Sequence, residues 1–222
     1  MSAQTWSTVA NLATALGTLI LAVATFSAIR SANLSARIAQ RALLVGLQPV
    51  LMPSRREDAT LKVNFGDRKW VQIPGSGAAA EVGGGDGSPS SDDSVVYLAV
   101  GLRNAGSGLA VLHGWRFYPE WHMDDQHAPM EEFRRQNRDL YVPAGDVGFW
   151  QGAFRDAADP QYEAARNVIE AREPWTVELL YGDTEGGQRV ISKFTMLPRR
   201  DTENAWIASV SRHWNIDRPD PR

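Results

Sequence analysis

Four side chains within six residues, His122, Asp124, Asp125 and His127, form the densest set of potential ligands in this sequence. Imidazole nitrogens and carboxylate oxygens bind divalent metals, and zinc or manganese held there would supply a Lewis acid for hydrolysis. A polar loop bounded by prolines, here Pro119 and Pro129, reaches the same composition without any ligand. Glu120 with Asp124 or Asp125 offers a carboxylate pair for glycoside hydrolysis, although one loop fixes neither their separation nor their pKa. His113 falls in an apolar register between Val111 and Trp115, which suits a core histidine with one satisfied nitrogen better than a catalytic base. The chain has no cysteine, no Gly-x-Ser-x-Gly elbow and no Walker-type phosphate loop. No cofactor is implied.

Aromatic residues give a second lead. Of eight tryptophans, Trp115, Trp121 and Trp150, together with Tyr118, could line a groove for a peptide or sugar. β-rich cores also consume large aromatics, and that is the plainer reading.

The elements that must position these residues begin with an anchor. Met1 to Ile29 contains no Asp, Glu, Lys, Arg or His, and the five charges that follow, Arg30, Arg37, Arg41, Arg55 and Arg56, are all positive. Trp6 to Ile29 is predicted to form an uncharged helix of about 24 residues, enough to cross a hydrocarbon layer of roughly 30 Å. Ala22-Val-Ala24 resembles a signal cleavage site, yet the n-region carries no Lys or Arg. Since every basic residue near the span lies on its C-terminal side, the expected topology is single-pass in the cell membrane, N-terminus outside and the large domain cytoplasmic. The absence of cysteine suits a reducing compartment and would equally suit an exported domain.

Residues 30–48 are predicted to continue as an amphipathic juxtamembrane helix, with Arg30, Arg37 and Arg41 on one stripe beside Leu34, Ile38, Ala42 and Val45. That stripe could hold anionic headgroups or a partner helix, or serve only as a cuff that fixes topology. Ala13 and Gly17, and Ala24 and Ala28, stand four apart as small residues do where membrane helices self-associate. Gln48-Pro49 should end the helix.

Beyond residue 56 the chain holds 18 basic residues against all 26 acidic ones, so nucleic acid is excluded as a natural partner. From Pro49 the period changes to that of strands. Val50 to Met52, Leu61 to Phe65, Trp70 to Ile73, Val95 to Arg103, Leu109 to Phe117, Val147 to Phe154, Trp175 to Tyr181, Arg189 to Met196 and Trp206 to Val210 are the predicted strands. Val96, Leu98, Val100 and Leu102 should share one face. So should Leu109, Val111, His113, Trp115 and Phe117, and again Trp175, Val177, Leu179 and Tyr181. Gly75 to Asp93 is too poor in apolar side chains to repay ordering and is expected to be a mobile excursion. Asp159-Pro160 offers a cap and first turn for a short helix to about Arg172. The expected fold is therefore mainly β: an antiparallel sandwich over residues 49–216 with one short helix, followed by an exposed tail, 217–222.

Taken together, the N-terminal anchor, the arginine-bearing helix, the Leu102-Arg-Asn-Ala-Gly-Ser-Gly108 turn and the Tyr181-Gly-Asp-Thr-Glu-Gly186 hairpin resemble uncharacterised bacterial, actinobacterial-type single-pass membrane proteins. The resemblance implies architecture and assigns no functional residue. The expected role is a membrane-tethered, non-enzymatic module that binds a protein partner or self-associates. The rival readings are a metal-dependent hydrolase built on His122, Asp124, Asp125 and His127, or a surface-exposed ligand-binding β domain if the topology is reversed.

Overall fold

The structure is a computed structural model that describes residues 3–84 and 94–217. It divides into two compact units, Met1–Gly46 and Leu47–Arg222. The first unit is one helix, α1 (Ala3–Gly46), in which the expected span and the arginine-bearing segment run on without a break. It is long and apolar enough to cross a membrane. Leu12, Leu19, Ile20, Leu21, Val23 and Phe26 are all exposed along it. Thr14, Thr18 and Thr25 each donate their hydroxyl to the carbonyl four residues back, at 2.7–2.9 Å, so that these polar groups are satisfied within the helix itself. Arg30, Arg37 and Arg41 are exposed along it.

The second unit is built from β1 (Leu51–Pro53), β2 (Leu61–Asn64), β3 (Trp70–Ile73), β4 (Gly77–Gly84), β5 (Ser94–Asn104), β6 (Ala110–Tyr118), β7 (Arg134–Val142), β8 (Val147–Phe154), α2 (Tyr162–Glu170), β9 (Trp175–Gly182), β10 (Val190–Pro198) and β11 (Ala205–Asn215). Nine strands form one antiparallel sheet in the order β1-β5-β4-β11-β10-β9-β6-β7, with β8 on the remaining edge of β5. The sheet curls over on itself and encloses a core that draws on nearly all its strands, Trp150, Trp175, Trp206, Phe117, Phe154 and Phe194 among them. Burial of these aromatics is the main force holding the curl closed. The fold is thus mainly β and antiparallel, as expected, with an N-terminal apolar helix and one further short helix.

Strand β5 is buried on both faces. Val96, Leu98, Val100 and Leu102 enter the central core, while Val95, Tyr97 and Ala99 pack under the separate β2–β3 hairpin with Val63, Phe65, Val71 and Ile73. α2 buries Tyr162, Ala165, Val168 and Ile169 against the same core. Its cap is not Asp159. That residue starts the preceding turn, where its Oδ1 accepts the Gln161 N–H at 2.9 Å and its carboxylate forms a two-pronged ion pair with Arg134.

Two expectations are corrected, and one strand is added. The stretch 75–93 is not an excursion throughout, because Gly77–Gly84 is a paired strand between β5 and β11, with Ala78, Ala79 and Ala80 fully or almost fully buried. Its small residues are there because bulk comes from the neighbours: a Cβ on Gly77 would stand 2.8 Å from the Trp206 carbonyl. Residues 85–93 lie outside the described residues. Second, the single face proposed for β6 is broken by a β-bulge at His113, so that Ala110 and Leu112 face the core before the bulge and Trp115 and Phe117 after it. The added strand is Arg134–Val142, which has no apolar alternation in its first six residues. Its polarity suits an edge, where one side needs no partner and charge discourages aberrant pairing.

Candidate functional site

Alternation along β9 directs Trp175, Val177, Leu179 and Tyr181 into the core, which leaves Thr176, Glu178 and Leu180 on the outer face. On β10 the outer residues are Ile191, Lys193 and Thr195. The register sets Glu178 directly opposite Lys193 and Thr176 opposite Thr195. On an open sheet this would be an ordinary solvated cross-strand pair. Here the segment that carries the four candidate ligands lies across it.

Glu178 is 0% exposed and Lys193 2%. Their charged atoms stand 3.4 Å apart, and the lysine ammonium also donates to the Asp124 carbonyl at 2.7 Å and lies 5.2 Å from the Trp214 ring centre. The other Glu178 oxygen accepts the Ala128 N–H at 2.9 Å and the Tyr118 hydroxyl at 3.2 Å. Burial and that carboxylate together push the Tyr118 phenol well above its ordinary pKa. The Thr176 hydroxyl donates to the Glu120 carbonyl and accepts the His122 N–H. The loop backbone is therefore pinned at residues 120, 122, 124 and 128 by three buried side chains of the sheet.

The side chains on that backbone go separate ways. His122 stacks on Tyr118 with ring centres 4.0 Å apart, and its Nδ1 is 3.6 Å from Glu120. Asp124 accepts the Gln126 N–H at 3.0 Å, which holds its carboxyl below the usual range. Asp125 forms an ion pair with Arg212. The His127 ring meets Trp214 edge-on, and its Nδ1 is 2.7 Å from the Ala128 carbonyl. Among the described residues no three His, Asp or Glu side chains are grouped to hold a metal ion. What the loop does present is Trp121, 55% exposed, and Met123, 76% exposed.

The aromatic groove is not formed. Trp115 and Trp150 meet edge-to-face at 5.4 Å within the core, Tyr118 points out to Glu178, and Trp121 stands in solvent. His113, half-buried at its bulge, has its pKa lowered first by burial and then by Arg189.

One polar chain escaped the sequence reading. Tyr181 and Ser192 hydroxyls lie 2.8 Å apart, and Ser192 Oγ lies 2.6 Å from His213 Nδ1. A register shift between β10 and β11 brings His213 to this face, an event that strict alternation cannot anticipate. Ser192 is fully buried with both hydroxyl contacts inside the protein, and burial pushes the Tyr181 phenol up to about 12. The chain therefore knits β9, β10 and β11 to β1, whose Leu51 N–H donates to Tyr181, and offers no open nucleophile.

No protein-family model matches the chain, and no curated protein or solved structure matches it.

Proposed function

We propose that this chain is a membrane-tethered, non-enzymatic interaction module, whose α1 anchors it in the cell membrane and whose β unit presents the 119–128 loop to a protein partner. The observation that carries the reading is the contrast within that loop: its backbone is fixed by Thr176, Glu178 and Lys193, while Trp121 and Met123 project into water. Large apolar side chains held in place before binding lose little freedom on docking, and tryptophan and methionine are enriched at such surfaces. Exposed Glu120 and Asp124 rim the pair, so the complementary partner offers an apolar pocket bordered by Lys or Arg. Tethering raises the effective concentration of such a contact without any catalytic group.

The arginines at 30, 37 and 41 favour an N-terminus outside and the β unit in the cytoplasm. Because the chain lacks cysteine, a single Glu185→Cys variant on the exposed turn after β9 reports orientation cleanly. In intact cells that thiol should resist an impermeant maleimide and react after permeabilisation. Labelling of intact cells would reverse the topology and favour a surface-exposed ligand-binding domain.

The hydrolase reading is separated by the double variant His122→Ala/His127→Ala. The module should keep its melting temperature, with or without chelator, and its partner set. Stoichiometric zinc or manganese in the purified parent, lost from the variant together with a hydrolytic activity, would replace the proposal.

A further inference from the structure

A second concavity lies elsewhere on the β unit, where the curled sheet fails to close. Among the described residues β7 pairs only with β6 and β8 only with β5, so these two strands present free edges to one another, joined by the Pro143–Asp146 turn. The two strands run on either side of that turn, and residues 136–139 of β7 leave the β6 ladder. Between them, and bounded by the tip of the β2–β3 hairpin, is a cavity of about 590 Å³, a size suited to a small molecule.

Four arginines line it, Arg134, Arg135, Arg138 and Arg155, against one carboxylate, Asp67. Arg134 is neutralised by Asp159, and Arg155 stands 3.3 Å from Asp67. Among the described residues Arg135 and Arg138 make no ion pair, and Arg138 donates only to the Asn64 carbonyl. Two arginines without an ion pair thus line a concave site on a unit that is acidic overall. The second observation is independent of charge. Gln151 lines the same cavity, is only 8% exposed, and its Oε1 has no donor; buried Gln136 Oε1 and Asp67 Oδ1 are likewise unmatched. Buried acceptors without donors are uncommon in folded proteins, and a small turn of these three side chains toward the cavity would let a ligand that donates hydrogen bonds satisfy them.

We propose that this cavity binds a phosphomonoester of a polyol. Its phosphate, with a charge of about −1.5 to −2 at neutral pH, matches the two free guanidiniums, and Arg offers the planar fork that phosphate oxygens prefer. Its hydroxyls supply the donors that Gln151, Gln136 and Asp67 lack. The same chemistry occurs in a soluble sugar phosphate and in a phosphorylated inositol lipid headgroup.

The test uses the full chain in phosphatidylcholine nanodiscs, titrated calorimetrically with glucose 6-phosphate, glucose and inorganic phosphate. Glucose 6-phosphate should bind at least tenfold more tightly than either fragment. Arg135→Ala/Arg138→Ala should weaken it tenfold or more at unchanged melting temperature, and Gln151→Met should reduce it to the affinity of phosphate alone. If the soluble probe fails but short-chain dioctanoyl phosphatidylinositol 4-phosphate binds the full chain and not the double arginine variant, the source is the lipid and the chemistry stands. Failure of both probes at millimolar concentration, or binding indifferent to the arginine pair, overturns the proposal.

Discussion

Glu178 and Lys193 face one another across β9 and β10 with their charged atoms 3.4 Å apart and almost no exposed surface between them. Two charges removed from water are stable only when geometry and further hydrogen bonds offset desolvation. The 119–128 loop provides those bonds from its own backbone, through the Asp124 carbonyl and the Ala128 N–H. Loop and ion pair are therefore one cooperative unit: the pair fixes the loop, and the loop completes the pair.

Removing one partner should be worse than removing both. Lys193→Met strands the Glu178 carboxylate and should cost about 3–5 kcal/mol, whereas Glu178→Gln/Lys193→Met should recover most of that loss. Denaturant unfolding of the parent, single and double variants gives the comparison. Equal destabilisation by the single and double changes would mean that the pair is not the loop's clamp.

Stability should fall in two separate pH ranges on acidification. His113 has a lowered folded pKa, so the unfolded chain takes its proton first, near pH 6.5, and stability declines from there until the pH passes the folded value. Asp159, held below the usual carboxylate range first by Arg134, is lowered as well; its contribution is present above about pH 4 and disappears as the pH drops through its folded value. Denaturation midpoints between pH 7.5 and 3 should show that His113→Asn flattens only the upper decline and Asp159→Asn only the lower. An unaltered upper decline in His113→Asn would assign it to another group.

Replacing residues 75–93 by a short linker should abolish folding, because it removes β4 from between β5 and β11. Circular dichroism of the purified variant would check this. A native spectrum with a cooperative melt would show that β4 is dispensable and that the original expectation of an excursion was sound.

Much of this fold is legible in the sequence where one face of a strand meets one environment. Val96 to Leu102 and Trp175 to Tyr181 alternate cleanly because their core faces are continuous, and both strands form where expected. β4 was hidden because its alanines and glycines carry little apolar surface of their own; Ala78 shares its core cluster with Trp206 and Ala79 with Tyr97. β7 was hidden because an edge strand needs no apolar outer face. The bulge at His113 reverses a face by a single residue, which periodicity cannot locate.

The site was legible only in part. The His122–His127 cluster lies on a loop whose backbone, and not its imidazoles and carboxylates, meets the buried strip. Strand alternation placed Glu178 opposite the core face, but its burial depends on a covering segment some 50 residues earlier in the chain. Arg134, Arg135, Arg138 and Arg155 gather with Asp67 only because the sheet curls and the β2–β3 hairpin folds over it.

Site-specific photo-crosslinking in intact membranes tests the proposed module most directly. A benzophenone amino acid placed at position 121 or 123 of the full chain, with Glu185 as an exposed control on another loop, should give a discrete protein adduct from the first two positions only. The adduct from 121 should vanish when Met123→Ser is added, and that from 123 when Trp121→Ser is added, with the melting temperature unchanged. Adducts of equal yield from all three positions, or none from 121 and 123, would contradict a docking role for this loop.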